Sequence, residues 1–162
     1  MIDHHTDMQS SIVGDMLSCG NWAKKALQNP FLHRLYLIGP SKHDLKSAEQ
    51  NKVLSFSIEE LEQGATIPLE TKYPVYISID KDVLDERYAM TNWNQGDMSL
   101  GMLEDVLAHF LKNCEVIGID ICGDDPDIDD YPTYIKAERI NNLSDDALYQ
   151  TAMKILKRRQ KK

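Results

Sequence analysis

Val75-Tyr76-Ile77-Ser78-Ile79-Asp80-Lys81-Asp82 is the stretch on which the fold turns. Its first five residues carry β-branched, aromatic and small side chains with no charge, so they read as a buried strand. Two aspartates at alternate positions follow at once. Near-continuous apolar runs of this kind belong to parallel sheets covered by helices. Working outward, Leu35-Tyr36-Leu37-Ile38, Val53-Leu54-Ser55-Phe56 and Val116-Ile117-Gly118-Ile119-Asp120-Ile121 have the same character. Gly39-Pro40 closes the first of these, and Ser57-Ile58-Glu59-Glu60 supplies a capping box after the second. Leu103, Val106, Leu107, Phe110 and Leu111 recur at helical spacing, with Asp97 or Ser99 near the helix start. A short helix is expected over 21–28. A final helix is expected from Ser144, with Asp145 and Asp146 in its first turn. It ends in a basic tail, Lys154, Lys157, Arg158, Arg159, Lys161 and Lys162, which reads as a solvated helix end. Asp124 to Pro132 reads as a loop. The alternation of strands and helices predicts an α/β fold: one three-layer α/β/α domain over residues 1–162 with a largely parallel sheet.

Composition narrows the function. The formal charge of −8, from 18 basic and 26 acidic residues, disfavours nucleic acid as a partner. No run approaches the roughly 20 apolar residues of a membrane span, and no signal peptide is visible. Three cysteines, Cys19, Cys114 and Cys122, have no paired spacing, which suits a reducing cytoplasm. Cys114 and Cys122 flank or lie in an apolar run and read as buried small hydrophobes. The expectation is a cytoplasmic protein acting on a small molecule.

Two motifs carry the chemistry. Asp3-x-His5-x-Asp7 sets three ligand types at alternate positions, which share a face in an extended segment. Asp80-x-Asp82 repeats the pattern at the end of the strongest strand. Carboxylates mixed with imidazole suit Mn²⁺, with Zn²⁺ and Fe²⁺ as alternatives. Two such strand ends together can bridge two ions, which lower the pKa of a shared water. No serine or cysteine has a recognisable base partner, and Gly96 and Gly101 form no phosphate-binding pattern. His33, His43 and His109 are isolated. Trp22 and Trp93 read either as lining a pocket mouth or as core.

Ile2-Asp3-His4-His5-Thr6-Asp7-Met8 resembles the D-A-H-x-D motif of the arginase, agmatinase and formiminoglutamase (ureohydrolase) superfamily. Ser78-Ile79-Asp80-Lys81-Asp82-Val83-Leu84-Asp85 resembles its S-x-D-x-D-x-x-D-P motif, with Glu86 in place of proline. Val116 to Pro126 resembles the strand bearing the later D-x-V-E-x-x-P segment. The resemblance implies a hydrolase acting on a non-peptide C–N bond of a linear amidine-like substrate, with a dinuclear manganese centre. Asp3 and Asp80 would bridge both ions and hold a bridging hydroxide. Asp7 would complete the first ion, and His5 and Asp82 the second. His4, where the family has alanine, is expected at the rim.

Several positions depart from the family pattern. Gly123 stands at the guanidine-binding glutamate, with Asp124 or Asp125 as candidate replacements. Ala23, in Ser18-Cys19-Gly20-Asn21-Trp22-Ala23, stands at a proton-shuttling histidine. Met98-Ser99 replaces a glycine pair. The family's first histidine ligand lies upstream of the D-A-H-x-D motif, and only Met1 and Ile2 precede Asp3. The chain is therefore expected to be truncated at its amino end, with a sheet edge left open to self-association as a homo-oligomer. A non-catalytic remnant of the fold is the alternative reading. Ile2-Asp3-His4-His5 also contains the D-H-H signature of the DHH phosphoesterases, but there the D-x-D segment comes first, and here it follows.

Overall fold

A computed structural model of the chain describes residues 1–11, 14–124 and 128–159. Asp125, Pro126, Lys161 and Lys162 lie outside the described residues. The chain divides into two compact units, Met1–Ile67 and Pro68–Lys162.

The first unit is built on parallel strands. β1 (Leu35–Ile38) and β2 (Val53–Phe56) have the bounds the apolar runs predict, paired in register from Leu35–Val53 to Ile38–Phe56. On the other edge of β1, Ile2 forms a parallel bridge with Ile38. The Asp3 N–H donates to the Ile38 carbonyl (3.0 Å), and the Ile38 N–H donates to the Met1 carbonyl (3.2 Å). The three residues Met1–Asp3 are thus enough to bring the ligand motif to the carboxyl end of β1. Short helices α1 (Trp22–Ala26), α2 (Lys42–Leu45) and α3 (Ile58–Glu62) complete the unit. Ser57 and Glu60 form the expected capping box at α3. Leu35 and Leu37 of β1 pack with Met1, Met8, Ala23, Leu45 and Ala48 in one apolar cluster.

In the second unit β3 (Val75–Asp80) lies parallel to β4 (Val116–Cys122), with Ser78 opposite Asp120 and Asp80 opposite Cys122. Between them runs α4 (Leu100–Asn113). Ser99 caps it by accepting the Met102 N–H, and the five residues read at helical spacing are all buried. The α/β reading therefore holds, with parallel strand pairs and intervening helices in each unit.

The last helix requires a correction. α5 spans Tyr131–Arg159, so Ser144, Asp145 and Asp146 lie in mid-helix and the expected loop is shortened. Asp130 opens the helix instead, accepting the Thr133 N–H at 2.9 Å. Pro132 in the first turn costs no hydrogen bond there. The early turns carry no clear apolar period because two buried positions on the inner face are polar. Asn141 and Ser144 sit where a periodic pattern leads one to look for apolar residues. The Asn141 amide bonds both the N–H and the carbonyl of Met90, at 2.8 and 2.9 Å, and the Ser144 hydroxyl donates to the Tyr88 carbonyl. These contacts supply the partners that buried polar groups require.

Candidate functional site

Both ligand motifs form the same local turn. The Asp3 carboxylate accepts the His5 N–H at 2.6 Å, and the Asp80 carboxylate accepts the Asp82 N–H at 3.0 Å. Each is an aspartate bonding the backbone two residues on, a conformation that competes successfully with continued strand. This corrects the extended-segment picture. The chain bends at His4 and His5, and a 3₁₀ turn over Lys81–Val83 follows β3 at once. Alternate residues are gathered by a turn and not by a pleat.

In the first unit, Asp3 is 5% exposed, and His5 Nδ1 lies 3.8 Å from the Asp3 carboxylate. His4 is half-buried, its ring edge-on to His5 with centroids 4.9 Å apart. Asp7 adopts φ +51, a left-handed conformation that aspartate tolerates better than most residues. Its carboxylate accepts the Trp22 indole N–H at 2.6 Å, while its carbonyl accepts the Lys24 N–H at 3.3 Å. From the sequence Trp22 reads as pocket rim or core. It is a hydrogen-bond donor to a candidate ligand. Trp93 is exposed, which removes the core reading for that residue. The Ser18–Ala23 loop is ordered by buried Asn21, whose side chain accepts the Ser18 N–H and donates to the Met16 carbonyl, both at 2.9 Å. Ala23, at the position of the family's histidine, is fully buried in the apolar cluster.

In the second unit, Asp82 is 2% exposed, and its carbonyl accepts the Gly96 N–H at 2.7 Å. Lys81, 1% exposed, has its ammonium 2.7 Å from Asp124 and 3.0 Å from Asp145. One buried cation therefore ties the turn after β3 to the segment after β4 and to α5. Asp124, the candidate replacement for the guanidine-binding glutamate, is engaged by this lysine. Gly123 has φ +102 and packs directly on the ligand turn. A Cβ there would collide with the Asp80 carboxylate and lie 2.8 Å from the Lys81 backbone nitrogen. Asp85 accepts the Arg87 N–H and Nε–H at 2.9 and 2.7 Å, and these bonds hold its carboxyl below the ordinary aspartate value.

The cysteines divide. Cys114 is buried, and burial pushes its thiol up. Cys122 is exposed, contrary to expectation, with Sγ 3.4 Å from the Asp80 carboxylate. The apolar run suggested burial, but β4 has only β3 as a strand partner among the described residues. Lys81, Gly123 and Cys122 all escaped sequence reasoning as neighbours of the ligand turn. For Cys122 the strand register was the available signal, since it sets residue 122 opposite Asp80.

A parallel α/β fold with acidic turns at the carboxyl ends of its strands defines a class in which ligands gather at strand ends. The sequence profile of the arginase family matches residues 1–143, and the chain belongs to that family. It is also similar to an uncharacterised protein of Thermotoga maritima, 32% identical over 141 residues. That match covers 87% of this chain and 53% of the relative, so the chain spans about half of the relative's length. No helix among the described residues is long and apolar enough to cross a membrane.

Proposed function

We propose that the chain carries the ligands of a metal-dependent hydrolase that cleaves a non-peptide C–N bond of a linear amidine-like substrate. Asp3 and Asp80 would bridge two manganese ions, with Asp7 completing the first and His5 and Asp82 the second. Membership of the arginase family, through a match that spans both motifs, supports the reading. The donor set fits such ions: four carboxylates and one imidazole are oxygen-rich and suit hard to borderline divalent metals. Ions so held acidify water, which is the chemistry hydrolysis of an amidine needs.

The chain's own residues supply orientation. The backbone N–H groups of His5 and Asp82 fix one oxygen each of Asp3 and Asp80. Trp22 fixes an oxygen of Asp7. Hydrogen bonds of this kind stabilise the ionised carboxylate and set which oxygen faces a ligand. Gly123 offers no carboxylate for a guanidinium, so another group must meet the polar end of the substrate.

The observation that carries the proposal is the Asp80–Asp82 turn, with Asp82 buried and Gly123 backed against Asp80. Manganese reconstitution followed by metal analysis tests it. Two equivalents are expected, and Asp80→Asn should lose at least one. Less than one equivalent of any divalent ion in the wild type would sink the dinuclear centre. A second reading, a metal-binding but non-catalytic member of the fold, is favoured by Ala23, which packs in the core where the family has a proton-carrying histidine. Full metal loading without amine or urea release from a panel of linear amidines would select that reading.

A further inference from the structure

Lys81 stands between two proposed ligands but is not one itself, since an ammonium offers N–H donors and no lone pair. Its side chain is 1% exposed, and a cation so buried is tolerated only when paired. It is paired twice, to Asp124 after β4 and to Asp145 on α5. Asp145 belongs to a row. Asn141, Ser144 and Asp145 share one face of α5 at the i, i+3, i+4 spacing. All three reach back to the segment that follows β3: Asn141 to both main-chain groups of Met90, Ser144 to the Tyr88 carbonyl, and Asp145 to Lys81. Every residue involved lies in the second unit, so the arrangement is internal to it. We propose that Lys81 is a positioning residue of the metal centre, the anchor through which α5 and the segment after β4 hold the Asp80–Asp82 turn in its metal-binding form.

This role rests on the proposed two-metal centre, and its geometric basis is the turn itself. The Asp80 carboxylate accepts the Asp82 N–H across Lys81, and the Lys81 carbonyl accepts the Leu84 N–H at 3.0 Å. Lys81 is thus the residue around which both carboxylates are arranged, and tying its side chain down restrains that backbone from within. A buried polar row costs desolvation that apolar side chains would avoid. What it adds is a single placement: donors and acceptors match at one register, whereas apolar faces can slide. Two explanations of Lys81 then predict opposite signs. As a mere charge it opposes nearby divalent cations, so its removal should tighten manganese binding. As an anchor it orients their ligands, so its removal should weaken binding.

Manganese titration of the whole chain, followed by electron paramagnetic resonance, decides between them, because the spectrum distinguishes a spin-coupled pair from isolated ions. The wild type is expected to show a coupled pair. Lys81→Met should bind manganese about ten- to a hundredfold more weakly and lose the coupled signal, with circular dichroism showing the fold retained. Asp145→Ala gives a second reading should Lys81→Met not fold: it cuts the tie to α5 and leaves Asp124 on the lysine. Asp146→Ala makes the same charge change at the neighbouring exposed position. Asp145→Ala should weaken manganese binding, and Asp146→Ala should not. Unchanged or tighter binding by folded Lys81→Met, or equal losses in the two alanine variants, would overturn the anchor while the two-metal reading stands. Wild-type protein that binds less than one equivalent removes that reading, and the anchor falls with it.

Discussion

The two ligand turns share a first hydrogen bond and differ in the side chains and packing seen behind it. In the first unit, Asp3 follows the short parallel bridge of Ile2 to Ile38, and the motif then bends into a left-handed Asp7 that accepts the Trp22 indole N–H. In the second, the turn ends a six-residue strand. Its neighbours are a buried lysine with two carboxylate partners and a glycine that leaves no space beside Asp80. The same aspartate chemistry is thus backed by an indole hydrogen bond in one case and by charge and close packing in the other. Rigidity around a ligand comes from what packs behind it, so the second turn should be the better organised and the more costly to disturb.

The largest expected effect lies at Lys81. Replacing Asp124 and Asp145 together by asparagine leaves a buried ammonium without either of these carboxylate partners. Breaking a buried pair from one side costs about 3–5 kcal/mol, and about 3 kcal/mol is expected here because water reaches both carboxylates. Lys81→Met removes the charge with the need for it and should cost less than half as much. Urea unfolding of the three proteins measures both. Equal destabilisation by the two routes would show that Lys81 acts through packing, and the contrast between the turns would lose its electrostatic half.

Gly123→Ala comes next. It combines a φ that L side chains rarely adopt with a Cβ placed against the Asp80 carboxylate. A cost of about 2 kcal/mol in stability is expected, together with weaker manganese binding as Asp80 is pushed aside. For the same reason Gly123→Glu should not restore guanidine recognition. Manganese affinity by titration calorimetry checks the prediction, and unchanged affinity in a destabilised Gly123→Ala protein would separate Asp80's position from the glycine. In the first unit the matching change is Trp22→Phe, which removes one hydrogen bond to a carboxylate and keeps most of the apolar body. About 1 kcal/mol is expected, since the site is only partly buried. If Trp22→Phe proved costlier than Gly123→Ala, the ranking of the two turns would be reversed.

These differences also mark what the sequence could say. The strands were legible because parallel-sheet burial writes itself as uninterrupted apolar runs, and the bounds of β1 and β2 follow directly. The D-x-[HD] motifs were legible as ligand candidates, yet their geometry was not. An aspartate that bonds its own backbone looks the same in sequence as one in an extended strand. Lys81 was invisible because a lysine between two aspartates reads as surface, and its partners lie 43 and 64 residues away. The first half of α5 was hidden by Asn141 and Ser144, whose buried polar groups bond a loop some fifty residues earlier. Local pattern reports local burial; long-range pairing of polar groups leaves no periodic trace.

The smallest effect concerns acid. Asp130 caps α5, and its bonds from the Thr133 hydroxyl and N–H lower its carboxyl below the ordinary value. Asp85 is lowered by Arg87 in the same unit; in the first unit, Lys25 lowers Asp15. A group whose folded value lies below its unfolded value binds fewer protons when folded. Its contribution is therefore complete above the unfolded carboxylate range, and is lost as the pH falls through that range towards the folded value. The contribution of these three groups should stay level around neutrality and decline on the acid side. Asp130→Asn keeps an acceptor for the Thr133 N–H and so preserves the cap, while removing the titration. Its thermal midpoint should match the wild type in acid and fall slightly below it at neutral pH, so that the acid limb becomes shallower. Asp15→Asn should do the same through the first unit, but with an effect that fades in high salt, because its contact with Lys25 lies at the surface, with Asp15 98% exposed. An Asp130→Asn profile parallel to the wild type at every pH would mean that the cap works through geometry alone and that charge at the start of α5 adds nothing.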